Sequence, residues 1–236
     1  MQDHIAVNVP TGPEPCVAIV DYGLGNLFSV KQACMTAGMA ARITSDKGDI
    51  AAADAVILPG VGAFGDAMAA LQQLDLVNML RDLAGAGKPL IGICLGLQLI
   101  MEYSTEFGDH RGLGIVPGHV TKFAGSREAN RVLKVPQVGW NHIYRPGGTV
   151  GDPWEGTPLV GLEEGCCMYF VHSFYAVPDA SAVLLSVSRY GDTEFCSSLR
   201  YGSVFAFQYH PERSGEHGLQ VYRNLSSMLK RDKGSV

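Results

Sequence analysis

A cysteine between two glycines stands near the middle of the chain, in Gly92-Ile-Cys-Leu-Gly96. This is the spacing of the G-x-S-x-G nucleophile elbow, with sulfur in place of oxygen. A sharp strand-to-helix turn strains the central residue, and flanking glycines allow neighbouring chain to pass close by. The helix N-terminus behind it favours a thiolate. The pattern predicts Cys94 as a nucleophile, the alternative being a small buried hydrophobic residue at a strand end.

A possible base for this cysteine lies far downstream, where the apolar stretch 205–209 runs into His210-Pro-Glu212. A cysteine nucleophile needs a base, and the base needs a carboxylate that fixes its tautomer. His210 and Glu212 have these chemical properties, and Pro211 ends the strand and can turn both side chains toward one rim. A surface turn is the alternative, and the cysteine elbow makes it the weaker one.

Backbone amides are the third candidate element, in Pro59-Gly-Val-Gly62 after another predicted strand. Acyl transfer develops an oxyanion that backbone N–H groups can stabilise. We predict that the N–H groups of Val61 and Leu95 do so, although Pro-Gly-x-Gly is also a common turn. Its place at the carboxyl end of a strand favours the functional interpretation.

Strands and helices that alternate along the chain would position these residues. The patterns predict strands at 16–21, 41–44, 54–58 and 89–93, helices at 26–38 and 95–103, and helical stretches near 66–84. Strand-like runs follow near 113–122, 132–144, 166–177, 183–188, 194–200 and 203–208, and a last helix near 213–231. We expect one α/β domain over 16–236: a central, mainly parallel sheet with helices on both faces and an antiparallel extension of the same sheet. Residues 1–15, with three prolines, are expected to be a flexible leader.

Composition limits the classes of function. The 236 residues carry a net charge of −5 with 17% charged residues and no basic run, which argues against nucleic-acid and membrane partners. No apolar run is long enough to span a bilayer, and six scattered cysteines fit reduced thiols, so we expect a cytoplasmic protein. No metal-ligand spacing is present, and neither metal nor cofactor is expected.

Together these motifs resemble the class I glutamine amidotransferases, whose fold is flavodoxin-like. Further stretches narrow the resemblance, from residue 16 onward, to the glutaminase subunits of imidazole glycerol phosphate synthases: 19–26, 59–68, 135–141, 169–175 and 207–215. The resemblance implies hydrolysis of glutamine to glutamate and ammonia through a glutamyl thioester on Cys94, with His210 as acid and base and Glu212 orienting it. By the same resemblance, four residues would bind the substrate: Gly62, Gln98, Glu106 and Ser173.

The family's partner is a (β/α)₈-barrel cyclase that receives the ammonia for histidine biosynthesis, as a heterodimer. The corresponding interface would include Asn26, Lys134, Pro136, Gln137, Trp140, Asn141, Tyr169 and Arg213. Gln137 stands where the family usually has histidine and Arg213 where lysine is frequent, and Trp140 could instead be core. The family's oxyanion loop becomes ready only when the partner binds its own ligand, so low glutaminase activity is expected of the isolated chain.

Two alternatives stay open. A related glutaminase subunit supplies ammonia for nucleotide-sugar amidination and would share every catalytic residue. From another class, Gly23-Leu-Gly25 after the first strand could belong to a dinucleotide-binding or non-catalytic module, but Phe28 occupies the place of the third glycine.

Overall fold

The computed structural model describes residues 14–128, 131–148 and 151–233. Of the predicted leader, residues 1–13 lie outside this part of the chain, so the leader remains a prediction. The first strand begins at Cys16, as expected.

The elements follow in chain order. The strands are β1 Cys16–Val20, β2 Ala40–Thr44, β3 Ala55–Gly60, β4 Leu90–Cys94, β5 Met101–Ser104, β6 His110–Arg111, β7 Val116–Lys122, β8 Arg127–Glu128, β9 Arg131–Val132, β10 Gln137–His142, β11 Cys167–His172, β12 Phe174–Pro178, β13 Leu184–Tyr190, β14 Thr193–Tyr201 and β15 Val204–Phe207. The α-helices are α1 Leu27–Thr36, α2 Lys47–Ala52, α3 Phe64–Gln73, α4 Val77–Gly85, α5 Leu95–Leu99 and α6 Gly215–Lys233. Short 3-10 turns cover Ser181–Val183 and Pro211–Arg213.

A seven-stranded sheet in the order β13-β14-β15-β4-β3-β1-β2 forms the centre. Strands β15, β4, β3, β1 and β2 run parallel. Every residue of β3 and β4 is buried, as expected when both faces of a parallel sheet are covered.

Alternate side chains of these strands enter two different apolar layers because side chains point to opposite faces of a sheet. On β1, Ala18 and Val20 pack with helices α2 to α5, while Val17 and Ile19 pack with α1 and α6. The predicted α/β architecture with helices on both faces is therefore confirmed.

The predicted antiparallel extension is correct for only part of the second half. Strands β13 and β14 do extend the main sheet antiparallel to β15. Four others form a separate mixed sheet in the order β12-β7-β5-β6, and β10 pairs with β11 alone. These pairings join distant segments, which residue patterns alone do not reveal.

The predicted helix 95–103 is wrong in its second half. Helix α5 ends at Leu99, and the chain re-enters a strand, β5, that pairs with β6 and β7. An unbroken apolar run fits a buried helix and a buried strand equally well, and long-range pairing decides here. The helical stretches predicted near 66–84 are the two helices α3 and α4. Among the described helices, none has both the length and the apolar character needed to cross a bilayer.

Candidate active site

The elbow at Cys94 has the strained backbone that the sequence predicts. Cys94 follows buried strand β4 and precedes α5, with φ of 54° and ψ of −105°. A Cβ on Gly92 would lie 2.9 Å from the carbonyl of Gly96, and one on Gly96 would lie 1.8 Å from Leu58 O. Both glycines are therefore required by close backbone packing. Since α5 has only five residues, its contribution to the site is local N–H groups rather than a long helix dipole.

His210 and Glu212 lie beside this elbow because β15, which leads to them, is the parallel neighbour of β4. His210 N–H donates to Tyr169 O at 2.9 Å, and Pro211 begins the 3-10 turn that carries Glu212. His210 Nδ1 donates to Glu212 Oε1 at 2.8 Å, which leaves Nε2 as the atom that can exchange a proton with a neighbour. Nε2 is buried and has no hydrogen-bond partner among the described residues.

Charges around His210 strongly favour its protonated form. Burial acts to lower the pKa of His210, but the negative charge of Cys94, together with the hydrogen bond to Glu212 and the charge of Glu212, outweighs it and raises the pKa from 6.5 to about 10. Cys94 and His210 thus form a coupled thiol and imidazole pair. The Glu212 carboxylate, whose side chain is 1% exposed, orients the imidazole.

A cavity of about 280 Å³ opens above Cys94. Its walls include all seven predicted oxyanion, substrate and nucleophile residues: Val61, Gly62, Cys94, Leu95, Gln98, Glu106 and Ser173. Four further residues complete the walls: Pro136, Val171, His172 and Phe174. His210 and Glu212 are not among the residues that line this cavity.

Gln98 and Glu106 are both buried at this cavity. Gln98 Nε2 donates to Phe174 O at 2.9 Å and to Gln208 Oε1 at 3.2 Å. These bonds link α5 to the start of β12 and to the residue that follows β15. Glu106 Oε2 accepts from Phe64 N at 2.7 Å and so caps the start of α3. From the residue pattern alone, Glu106 would have been a solvated charge, and only the family resemblance placed it at the substrate.

His172 lines the cavity but was not predicted from the sequence as a site residue. Its Nδ1 donates to Phe174 O at 2.8 Å, which holds the bend between β11 and β12, and its Nε2 has no partner in the described structure. Burial lowers the pKa of His172 to about 4, so the ring is neutral. The alternating burial of β11 places His172 on the inner face of the strand, a position that the residue pattern alone does not reveal.

The residues predicted for a partner interface do not all share one environment. Trp140 is 61% exposed, so its alternative assignment as core is wrong. Its ring meets Tyr169 edge-on at 6.0 Å, and the Arg213 guanidinium lies 4.4 Å from the Tyr169 ring centre. We name Trp140, Tyr169 and Arg213 the aromatic patch.

The other predicted interface residues differ in their burial and contacts. Asn26 caps α1, and Asn141 donates to Arg189 O at 2.8 Å. Gln137 is only 3% exposed and its Oε1 has no partner in the described structure. Lys134 is exposed, and its carbonyl accepts from Tyr190. Pro136 lines the cavity, so the interface prediction and the cavity meet there.

No group of three or more metal-binding side chains comes together within residues 14–128, 131–148 and 151–233. All six cysteines are free.

Curated relatives cover most of the chain. The chain is 43% identical over 214 residues to the imidazole glycerol phosphate synthase subunit HisH of Moorella thermoacetica, covering 91% of this chain and 95% of that one. It is 42% identical over 221 residues to the protein of the same name in Bacillus cereus, covering 93% and 98%.

Solved structures share the fold. PurLQS from Thermotoga maritima aligns with a TM-score of 0.67 at 21% identity, covering 92% of this chain and all of that one. A structure titled glutamine amidotransferase aligns with a TM-score of 0.66 at 18% identity, covering 90% and 98%. The family model of glutamine amidotransferase class-I matches residues 18–226. Since that match spans the central sheet and the cavity alike, the chain belongs to the class I glutamine amidotransferase family.

Proposed function

We propose that this chain is the glutaminase subunit of an imidazole glycerol phosphate synthase, which hydrolyses glutamine to glutamate and ammonia and passes the ammonia to a cyclase subunit in histidine biosynthesis. The observation that carries the proposal is the convergence of Cys94, His210 and Glu212 beside a cavity lined by Gln98 and Glu106. Identity of about 42% to curated HisH subunits over most of the chain supports the pathway.

The first half of the reaction transfers the glutamyl group to sulfur. The Cys94 thiolate attacks the side-chain amide carbon of glutamine, and the carbonyl oxygen becomes an oxyanion. His210, protonated because its pKa is raised, gives its proton from Nε2 to the amide nitrogen. The C–N bond breaks, ammonia leaves and a glutamyl thioester remains.

The second half returns the enzyme to its starting state. Neutral His210 takes a proton from a water molecule, whose oxygen attacks the thioester carbon. The C–S bond breaks to release glutamate, and Cys94 leaves as a thiolate beside the reprotonated imidazole. Glu212 keeps its bond to Nδ1 in both halves, which fixes Nε2 as the atom that transfers protons.

The remaining cavity residues have the chemistry to hold the substrate and the oxyanion. The N–H groups of Val61 and Leu95 would stabilise the oxyanion from two sides of the sulfur. Glu106 provides a buried carboxylate for the substrate ammonium group, and Gln98, Gly62 and Ser173 complete the wall at its amino-acid end. A charged ligand needs such a paired charge in a buried site.

The partner in this proposal is a (β/α)₈-barrel cyclase. Ammonia is useful only if it reaches its acceptor before a solvent proton captures it, which favours a subunit docked over the cavity. The aromatic patch is suited to this docking because Trp, Tyr and Arg dominate binding energy at protein interfaces. A glutaminase subunit for nucleotide-sugar amidination is the second candidate, and the names of the curated relatives favour the first.

A glutamine-like chloroketone tests the reaction directly. We expect mass spectrometry to find one adduct, at Cys94, and glutamine to protect against it. Glutamate release by the complex with the cyclase subunit should fall roughly a thousandfold or more in Cys94→Ser, because a serine hydroxyl is a far weaker acid than a thiol. Cys16→Ser, at an exposed thiol outside the site, is the matched control. An unmodified Cys94 in a folded protein would contradict the proposal.

A further inference from the structure

A buried tyrosine in the loop after β1 holds the strand that leads into the predicted oxyanion loop. The Tyr22 hydroxyl donates to Pro59 O at 2.6 Å, and Tyr22 is 4% exposed. Pro59 begins the Pro-Gly-Val-Gly stretch in which the N–H of Val61 is the predicted oxyanion donor. Because Pro59 lies two residues before Val61, the Tyr22 bond acts on the backbone that positions this N–H.

The bond lies where the strand ladder gives no further support. The ladder between β1 and β3 ends at Ile57, two residues before Pro59. On the other side of β3, Gly60 is the register partner of Cys94 in β4. The Tyr22 hydroxyl therefore holds β3 beside the nucleophile, at a point where β1 no longer pairs with it.

The backbone around Val61 is crowded before this residue and open after it. A Cβ on Gly60 would lie 2.2 Å from the Tyr22 hydroxyl and 3.0 Å from the Cβ of Leu95. A Cβ on Gly62, which has a φ of 109°, would meet no atom within 4 Å. Strand β3 ends at Gly60, and Val61 is 42% exposed. The fixed part of the strand thus ends beside the Tyr22 bond, and conformational freedom begins at Val61.

The Tyr22 hydroxyl remains a hydrogen-bond donor at neutral pH. Burial raises the pKa of Tyr22 above its usual value, and the negative charge of Cys94 raises it further. A backbone carbonyl such as that of Pro59 can only accept a hydrogen bond, and a protonated hydroxyl always provides one. Loss of this donor would leave a buried carbonyl unpaired, which is costly in a protein interior.

We propose that Tyr22 is a positioning residue for the oxyanion site. Its hydroxyl fixes Pro59 O, so that any reorientation of the loop is confined to the two peptides that flank Val61. The Val61 N–H then returns to the same position in each turnover. This role rests on the proposed glutaminase function of Cys94 and on the predicted oxyanion role of Val61.

The test compares two reactions of Cys94 in Tyr22→Phe, which keeps the ring and removes the hydroxyl. Glutamate release, measured with saturating, ligand-bound cyclase subunit, passes through an oxyanion. Alkylation by iodoacetamide displaces iodide from carbon and forms no oxyanion. Comparing the two rates separates an effect on the oxyanion site from an effect on the sulfur.

We expect kcat for glutamate release to fall about tenfold in Tyr22→Phe. Complete removal of an oxyanion donor costs roughly a hundredfold or more, and a donor that is only displaced costs less. KM for glutamine should stay within about twofold of wild type, because the oxyanion is bound only in the transition state. The alkylation rate of Cys94 should also be unchanged.

Two outcomes in folded Tyr22→Phe would overturn the proposal. One is a wild-type kcat. The other is an equal loss in glutamate release and in alkylation, because that result would mean that the hydroxyl supports the whole site rather than the oxyanion donor.

Thr157→Val is the matched control for the loss of a buried hydrogen bond. Thr157 is 1% exposed, and its hydroxyl donates to Trp154 O at 2.7 Å. Its neighbour Gly156 lines a groove with Pro89, the residue before β4, whereas Cys94 ends that strand. Thr157→Val should therefore keep the wild-type kcat and alkylation rate. An equal fall in kcat in both variants would contradict a specific role for Tyr22.

Crystal structures of the wild-type protein, alone and with the ligand-bound cyclase, give a readout that does not depend on how the variants fold. Tyr22 Oη should lie within about 3 Å of Pro59 O in both, whichever way the Val61 N–H points. A bond that is broken in either structure overturns the proposal. A wild-type complex that releases no glutamate contradicts the proposed function instead, and the two structures still decide whether Tyr22 holds Pro59.

Discussion

The sulfur of Cys94 has protein atoms of different character on each side. Gln208 Nε2 lies 3.7 Å away and can donate to a thiolate, whereas Val171 O lies 3.8 Å away and can only accept from a thiol. The negative charge of Cys94 also raises the pKa of His210. A partner or substrate that moves either Gln208 or the Val171 carbonyl would change the surroundings of the sulfur.

The raised pKa of His210 predicts a pH-dependent contribution to stability. The folded protein holds the proton up to about pH 10, whereas the unfolded chain releases it near 6.5. The stabilisation is therefore complete below about pH 6.5 and is lost as pH rises toward 10. The difference in unfolding free energy between wild type and His210→Asn should be larger at pH 6 than at pH 10, as measured by urea unfolding.

Glu212→Gln provides the matched comparison for that experiment. It keeps the shape of the side chain and removes one of the two negative charges that raise the pKa of His210. The stability of this variant should change less between pH 6 and 10 than that of wild type. Parallel curves for all three proteins would contradict the raised pKa.

At the scale of elements, the crossing of α5 over β3 is the tightest contact of the elbow. A methyl group on Gly96 would lie 1.8 Å from Leu58 O, and backbone cannot give way as a flexible side chain can. We expect Gly96→Ala to lower the free energy of unfolding by about 3 kcal/mol or more, or to prevent folding. Urea unfolding followed by circular dichroism measures this.

Gly85→Ala is the control for that substitution. Gly85 ends α4, and a methyl group there would meet no atom within 4 Å. Alanine should stabilise this helix by up to about 1 kcal/mol. Equal changes in unfolding free energy for Gly96→Ala and Gly85→Ala would contradict the idea that backbone crowding excludes a side chain at Gly96.

At this scale, the sequence predicted the helix boundaries that neighbouring residues determine, and it failed where distant segments determine the boundary. The start of α1 was predictable because Asn26 caps it, and its end because Gly38 adopts a φ of 76°. The end of α5 was not, since Met101 continues the same apolar run in a strand whose partners lie later in the chain. A local residue pattern indicates that a segment is buried, but it does not indicate which other segment covers it.

The same distinction holds for the site. That Cys94, His210 and Glu212 come together was predictable from chemistry and spacing, because each motif follows a strand that is predicted to be buried. The assignment of Glu106 and Gln98 to the cavity needed the family resemblance, since nothing local separates a buried polar side chain at a cavity from a surface charge or a core amide. His172 was missed because a single histidine in an alternating strand has no pattern of its own.

At the scale of the whole molecule, we expect the aromatic patch to contribute to the free energy of partner binding but not to the free energy of unfolding. Trp140 is 61% exposed, so Trp140→Ala should leave the unfolding free energy within about 0.5 kcal/mol of wild type. It should weaken binding to the cyclase by about 2 kcal/mol, or roughly thirtyfold in Kd. Isothermal titration calorimetry measures the change.

Tyr201→Ala is the control on the opposite edge of the molecule. Tyr201 is 44% exposed and pairs with Val204 at the start of β15, whereas His210 follows the end of that strand. Its substitution should leave Kd unchanged. A similar loss of affinity in both variants would place the interface elsewhere.

Activation by the partner is the second prediction at this scale. Gly62 has a φ of 109° and open space around it, whereas a Cβ on Gly60 would meet the Tyr22 hydroxyl at 2.2 Å. The backbone beside Val61 therefore has room to move on the Gly62 side but not on the Gly60 side. This suits a loop that reorients when the cyclase binds its ligand. Glutamate release should be low for the isolated chain and rise with the liganded cyclase. Equal rates would contradict this gating.

The adjacency of β4 and β15 has a consequence for biosynthesis of the protein itself. Strand β15, which delivers His210, is synthesised after β4 and β14, and it must insert between them. The sulfur of Cys94 and the imidazole of His210 can therefore meet only after β15 has left the ribosome. A nascent chain that ends before β15 cannot bring Cys94, His210 and Glu212 together.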